Sequence, residues 1–261
     1  VMSISKMPIL TIPISTFTQS KSAVTYLPLA AVSLFFSHFA LANPISYQDQ
    51  AKLHQIAKAV SAERIEHDIQ ALVNFGTRHT LSETTSDTRG IGAARRWVKA
   101  EFEKISTQCG GCLEVIEVKE TISGEKRIPN ATEVVNIIAI QRGMVEPNRM
   151  VMMSGDIDSR VSDVMDFTSD APGANDNASG VAGTLEAARV LSQYKFSGSI
   201  VYAALSGEEQ GLFGGKILAD YAKQQGWRVH GVLNNDMIGN VTGINGVTDN
   251  TTARLFSEGT R

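Results

Sequence analysis

The chain is poor in cysteine and nearly balanced in charge. Its 261 residues include two cysteines, and 24 Lys and Arg stand against 27 Asp and Glu, for a net charge of −3. Two cysteines are too few for a small fold stapled by disulfides. The balanced charge, with 43% hydrophobic residues, excludes a disordered tail and a nucleic-acid-binding protein. The composition is that of an ordinary globular protein, and the length suits one large α/β domain or two small ones.

Histidine is scarce in the second half of the chain. The five histidines are His38, His54, His67, His79 and His230. Only one of them follows position 79, and none follows position 230. The second half therefore offers few imidazole groups to a metal or to acid–base chemistry.

Residues 1–42 lack acidic side chains altogether, and Lys6 and Lys21 are their only cations. An apolar stretch then leads to the small-residue exit Ala40-Leu41-Ala42, a pattern typical of a secretory signal peptide. We predict a signal peptide at 1–42, a second region at 43–261, and export to the periplasm or the extracellular space, with no membrane association after cleavage. A membrane anchor is the alternative, but polar residues shorten the apolar core below the roughly 20 residues of a span.

The two cysteines form a C-x-x-C motif, Cys109-Gly110-Gly111-Cys112. In a reducing compartment such a motif indicates redox chemistry or half of a zinc site. In an exported protein a local disulfide is the simpler interpretation. We therefore expect Cys109 and Cys112 to form a structural disulfide.

Helical and extended segments alternate from residue 47 onward. Apolar spacing predicts helices over 47–75, 91–106, Asn177–Tyr194 and Leu212–Gln225. Short apolar runs predict strands at Leu113–Ile122, Glu133–Ile140, Arg149–Ser154, Gly198–Leu205 and Val229–Asn234. Alternation of this kind predicts an α/β sandwich with both faces of its sheet covered.

Acidic residues follow the predicted strands or precede a helix. They are Asp156, Asp158, Asp176, Glu208, Glu209 and Asp236. Ligands bind at the carboxyl ends of strands in open α/β sheets, so we expect most of these carboxylates to share one rim. Their mutual repulsion is naturally relieved by divalent cations. For any one of them, Asp176 above all, a helix cap or a solvated loop acid is the alternative.

Two of these motifs resemble metallopeptidase family 28, the co-catalytic zinc aminopeptidases and their glutamate carboxypeptidase and glutaminyl cyclase relatives. The motifs are Pro-Gly-Ala-Asn-Asp176-Asn-Ala-Ser-Gly and Gly-Glu208-Glu209-Gln-Gly-Leu. The resemblance implies a three-layer α/β/α sandwich with a mixed, mostly parallel sheet. It also implies a two-metal exopeptidase in which metal-bound water attacks the peptide bond. In that family Asp176 would bridge two metals, Asp156 and Asp236 would complete one, Glu209 would bind the other, and Glu208 would be the general base.

The chain departs from the family pattern at both histidine ligands. Asp156-Ile157-Asp158-Ser159 stands where the family has His-x-Asp-Ser. Asp158, a candidate catalytic residue with Glu208, then lies beside a like charge, for which Arg160 is the expected neutraliser. The oxygen-rich donor set admits manganese, cobalt or magnesium beside zinc. The other histidine of the pattern would follow Asp236 at a distance, so we expect a catalytic domain truncated at its C-terminus.

Three interpretations stay open. The first is a peptidase acting on a peptide substrate, with aminopeptidase chemistry the commonest outcome of the resemblance and carboxypeptidase or cyclase chemistry as variants. The second is a non-catalytic binding domain of the same fold. The third is a magnesium-dependent phosphatase with Asp156 as nucleophile and Asp158 as acid–base. Arg78-His79, near the start of the resemblance, is expected to make polar loop contacts.

Overall fold

A computed structural model describes residues 47–253 and 255–256. The predicted signal peptide lies outside the described residues. The helices are α1 Tyr47–Lys58, α2 Ala62–Val73, α3 Gly90–Gln108, α4 Ser179–Leu191 and α5 Phe213–Gln224. The strands are β1 Leu113–Ile122, β2 Thr132–Gln141, β3 Glu146–Asp156, β4 Gly198–Leu205 and β5 Arg228–Asn234.

The predicted helix over 47–75 is wrong, because two helices occupy this stretch. Ser61 lies between them in an extended conformation, and its hydroxyl accepts a hydrogen bond from the backbone N–H of Arg64 at 3.2 Å. A serine in this position caps the first turn of a new helix and ends the previous one. The apolar side chains before the break, Leu53 and Val60, are about half exposed, at 53% and 50%.

The five strands form one mixed sheet in the order β1-β2-β4-β3-β5. The strands β3, β4 and β5 run parallel to one another, and β1 and β2 join them through antiparallel pairings. Parallel neighbours need crossover connections, which α4 and α5 supply. The mixed sheet was expected from the sequence, whereas its strand order was not.

Helices cover both faces of the sheet and create two hydrophobic cores. On one face, Leu72 of α2, Phe102 of α3 and Leu185 of α4 pack against the sheet and are fully buried or nearly so. On the other face, Ile217 and Leu218 of α5 pack against the opposite side of the same strands. The three-layer α/β/α sandwich predicted from the sequence is therefore confirmed.

Two smaller features complete the fold. Cys109 and Cys112, between α3 and β1, are joined as a disulfide. Among the helices of the described residues, none has both the length and the apolar character that crossing a membrane requires.

Candidate metal and catalytic site

The carboxyl ends of the three parallel strands carry the acidic residues. Asp156 is the last residue of β3, Glu208 and Glu209 follow the end of β4, and Asp236 follows the end of β5. Asp156 pairs in register with the last residue of β4, so the strands end level with each other. Parallel strands place their carboxyl ends at one edge, and this edge forms an acidic rim, defined by Asp156, Asp176, Glu208, Glu209 and Asp236.

Asp176 joins the rim from a separate turn before α4. The turn spans Ala174–Ala178, and the Asp176–Asn177 peptide bond in it is cis. Asp176 is not the N-cap of α4, which begins at Ser179 without a side-chain cap. The amide of Asn177 donates to Asp156 Oδ2 at 3.1 Å and to the backbone carbonyl of Asn235 at 2.8 Å. One side chain thus ties the turn to the ends of β3 and β5.

Two glycines allow these segments to approach closely. A Cβ at Gly155, just before Asp156, would lie 2.4 Å from the backbone of Gly180 at the start of α4. A Cβ at Gly180 would lie 2.2 Å from the carbonyl oxygen of Asn235, just after β5. Both distances are shorter than atoms tolerate, so a side chain at either position would push the rim apart.

Burial and crowding disfavour negative charge on the rim. Burial, followed by the charges of Asp158 and Glu208, raises the pKa of Asp156 to about 8. Burial, followed by the charges of Asp158 and Glu209, raises the pKa of Glu208 to about 7. The pKa of Asp236 is also raised, by burial and then by Asp176. The like charges of these carboxylates thus act on one another across the strand ends.

Asp158 is almost fully buried and holds the turn that carries the glutamates. Its two carboxylate oxygens accept hydrogen bonds from the backbone N–H groups of Glu208 and Glu209, at 3.2 and 3.1 Å, and from the Thr80 hydroxyl at 2.9 Å. Burial raises the pKa of Asp158, and these hydrogen bonds lower it in part. The contacts of Asp158 are therefore with the chain that positions Glu208.

The predicted pairing of Arg160 with Asp158 is wrong. Arg160 Nε instead lies 2.5 Å from Glu209 Oε2, in an ion pair at the edge of the rim. The Asp158 oxygens are already occupied by backbone and hydroxyl donors, and the carboxyl group is buried away from Arg160, whose side chain is 34% exposed. Arg127 Nη1 also donates to the backbone carbonyl of Glu209, at 2.7 Å. Two arginines thus fix the backbone and the carboxylate of Glu209.

Within the part of the chain that the structure describes, no three His, Cys, Asp or Glu side chains lie close enough to form a metal-binding group. Glu209 forms an ion pair with Arg160, and Asp156 accepts a hydrogen bond from Asn177, so these two rim carboxylates face protein partners. The donor chemistry nevertheless suits a divalent cation, because Asp156 is buried, Glu208 and Glu209 are partly buried, and the negative charges of the rim repel one another.

Among the described residues, neither His79 nor His230 belongs to a metal-binding group. His79 is fully buried, and its Nδ1 accepts a hydrogen bond from the backbone N–H of Leu81 at 3.0 Å. Its Nε2 lies 3.1 Å from the carbonyl oxygen of Val164 and 3.0 Å from the amide of Gln210. His230 is exposed on β5. His79 thus makes the polar loop contacts expected of it.

Three residues of this region were not predicted from the motifs. They are Thr80, Asn177 and Arg78. Polar contacts were expected of Arg78, but the complete burial of its side chain was not. Asn177 adjoins Asp176 in the sequence, and that adjacency is a signal that could have identified it. Nothing in the local spacing of Arg78 indicates a buried side chain.

Residues 136–258 match the sequence profile of peptidase family M28. A probable zinc metalloprotease of Leptosphaeria maculans is 44% identical over 210 residues, which cover 80% of this chain and 49% of the relative. A probable zinc metalloprotease of Pyricularia oryzae is 43% identical over 209 residues, covering 80% of this chain and 42% of the relative. The chain is similar to peptidase family M28 and to these zinc metalloproteases.

Solved structures agree with the M28 fold. LapB from Legionella pneumophila superposes with a TM-score of 0.61 at 22% identity, covering 77% of this chain and 50% of LapB. Glutaminyl cyclase from Porphyromonas gingivalis gives a TM-score of 0.52 at 24% identity, covering 68% of this chain and 60% of the cyclase. The chain spans about half the length of the curated M28 relatives that it matches, 49% for the first of those above.

Proposed function

We propose that this chain carries the metal-binding and catalytic rim of a zinc-dependent exopeptidase, with Glu208 as the general base. The observation that carries the proposal is the placement of Asp156, the Glu208–Glu209 pair and Asp236 at the carboxyl ends of three parallel strands. The names of the M28 relatives, probable zinc metalloproteases, support a zinc-dependent peptidase over the other interpretations.

Four rim residues would hold two divalent ions. Asp176 would serve both, Asp156 and Asp236 would complete one, and Glu209 would contribute to the other. When bound, such ions polarise a carbonyl group and lower the pKa of water. We favour zinc because the relatives are named zinc metalloproteases. A donor set made of oxygen atoms alone would also bind manganese, cobalt or magnesium. Binding would require Glu209 to leave its ion pair with Arg160.

Glu208 has the properties of a general base that works near neutral pH. Its pKa of about 7 lets it take up a proton from an attacking water and return it to the leaving amine. Asp158 accepts the backbone N–H groups of Glu208 and Glu209, so it fixes the turn from which Glu208 reaches into the rim. We therefore assign Asp158 a positioning role within the catalytic pair.

The substrate in this proposal is a peptide, cleaved at its end by an enzyme that acts outside the cytoplasm. Aminopeptidase chemistry is the first choice among the variants, and the predicted signal peptide at 1–42 supports export of the domain at 43–261. The phosphatase interpretation is disfavoured because both Asp158 oxygens are occupied by donors from Thr80 and the 208–209 backbone, which leaves that carboxyl group no role as an acid–base.

The test compares two substrates on the protein purified without chelator. We expect hydrolysis of an aminoacyl anilide, loss of that activity in chelator and recovery with zinc, and no hydrolysis of a chromogenic phosphate ester. Hydrolysis of the ester alone would support the phosphatase. Zinc binding without hydrolysis of either substrate would support the non-catalytic binding domain.

A further inference from the structure

Arg78 is a fully buried cation whose side chain donates four hydrogen bonds to backbone carbonyls. Its Nε donates to the carbonyl of Ile157 at 2.7 Å, and its Nη1 donates to the carbonyls of Leu72 at 3.0 Å and Pro172 at 2.6 Å. Its Nη2 donates to the carbonyl of Gly173 at 2.9 Å. A guanidinium has five N–H donors in a rigid plane, so four of its directions are used to hold backbone.

Three of the four carbonyls belong to segments that carry rim residues, and the fourth is that of Leu72 in α2. Ile157 lies between Asp156 and Asp158, and Gly173 lies three residues before Asp176. A single rigid group therefore sets the separation between the turn after β3 and the turn that carries Asp176. Gly173 has a left-handed backbone with φ of 47°, and a Cβ there would lie 2.4 Å from the carbonyl oxygen of Asp176 and 2.9 Å from Arg78 Nη2. The close approach explains why this position holds glycine.

A second connection runs parallel to the first. The backbone N–H of Arg78 donates to Ser159 Oγ at 3.2 Å, and the Ser159 hydroxyl donates to the carbonyl of Ala171 at 2.6 Å. The same two turns are thus joined twice, once through the Arg78 side chain and once through Ser159. Both links are buried, where hydrogen bonds are costly to leave unmade.

Arg78 also places a positive charge near Asp158 and Asp176 without forming a hydrogen bond to a carboxylate. Its side-chain hydrogen bonds all go to backbone carbonyls, so Asp156 and Asp176 keep their oxygens for other partners. The charges of Asp158 and Asp176 act on it attractively, although burial lowers its pKa to about 10. A group with that pKa is still protonated at neutral pH and offsets part of the repulsion between the carboxylates.

We propose that Arg78, together with Ser159, is a positioning residue that sets the spacing of Asp156 and Asp176 and thereby the metal affinity of the rim. The inference rests on the proposed function, since it assumes that the rim binds a divalent metal. It concerns the geometry of the ligands rather than the chemistry of the reaction.

The test measures zinc affinity by calorimetry and the visible absorption of bound cobalt, neither of which requires turnover. Arg78→Lys keeps the charge and loses the planar fork, so we expect zinc binding weaker by about 10- to 100-fold and an altered cobalt spectrum. Leu218→Ala is the matched control, because it destabilises the core on the opposite face of the sheet and should leave both readouts unchanged.

The outcomes separate the two proposals. If the parent protein binds neither zinc nor cobalt, the proposed function fails and the positioning role fails with it. If the parent binds zinc and folded Arg78→Lys binds it within twofold of the parent, the positioning role alone is refuted. If Arg78→Lys does not fold, Ser159→Ala decides: weaker zinc binding supports the proposal, and unchanged binding overturns it.

Discussion

Asp156→Asn should make the metal-free protein more stable at neutral pH. The pKa of Asp156 is raised from 3.8 to about 8, so between those values the folded state binds more protons at this site than the unfolded state does. The contribution of Asp156 to stability is therefore fully present below pH 3.8 and is lost as the pH rises toward 8. Asparagine has the same shape, carries no proton to lose, and can still accept the hydrogen bond from Asn177.

The size of the effect follows from the pKa values. At pH 7 the folded carboxyl is mostly protonated and the unfolded one is ionised, so keeping this site in the fold costs about 4 kcal/mol relative to low pH. Asp156 is only 5% exposed, so solvent screens the site little. The Asn variant avoids that cost. Its free energy of unfolding at pH 7 should exceed that of the parent by an amount of the same order.

The assay is urea unfolding in chelator between pH 5 and pH 8.5, followed by circular dichroism. The control is Asp166→Asn in an exposed loop, where hydrogen bonds from Ser169 and Thr168 hold the pKa of the aspartate well below its usual range. That variant should lose stability at neutral pH and keep the parent's slope between pH 5 and 8. Equal pH slopes in the parent and Asp156→Asn would refute the reasoning.

Three further changes test other parts of the structure. Asp156→His should raise zinc affinity relative to manganese in competition titrations, because imidazole favours zinc over harder ions; an unchanged preference would contradict the ligand assignment. Arg160→Gln should tighten zinc binding severalfold, measured against a chromophoric chelator, because Glu209 no longer has to leave an ion pair; weaker binding would show that Arg160 supports the site. Phe102→Ala should lower the free energy of unfolding by about 3–5 kcal/mol in urea, because a fully buried ring is lost; a loss below 1 kcal/mol would contradict the packing described.

The positions of the strands were predictable because each is a short apolar run that ends in polar residues. The bounds of β1 and β4 agree with the sequence pattern at both ends. The break at Ser61 was missed because the apolar spacing continues through residues that the fold leaves exposed, such as Leu53 and Val60. Periodicity reports which residues could be buried together, and tertiary packing decides which of them are.

The positions of the rim carboxylates at strand and turn ends were predictable from the sequence. The residues that hold these segments and side chains in place were not. Each acidic residue sits at a strand or turn end that the sequence marks, whereas Arg78 acts through carbonyls up to 95 positions away in the chain. The Arg160–Glu209 pair depends on contacts across 49 positions for the same reason. Such partners are set by strand order, and no local pattern encodes the order β1-β2-β4-β3-β5.

The most direct test of the central claim is the turnover and metal content of Glu208→Gln. Glutamine keeps the size of the side chain and cannot take up a proton, while the proposed ligands Asp156, Asp176, Glu209 and Asp236 are unchanged. We predict that kcat for an aminoacyl anilide falls by about 10²- to 10⁴-fold, with the zinc content of the parent retained. Turnover within a few-fold of the parent, at equal zinc content, would contradict the role of Glu208 as the general base.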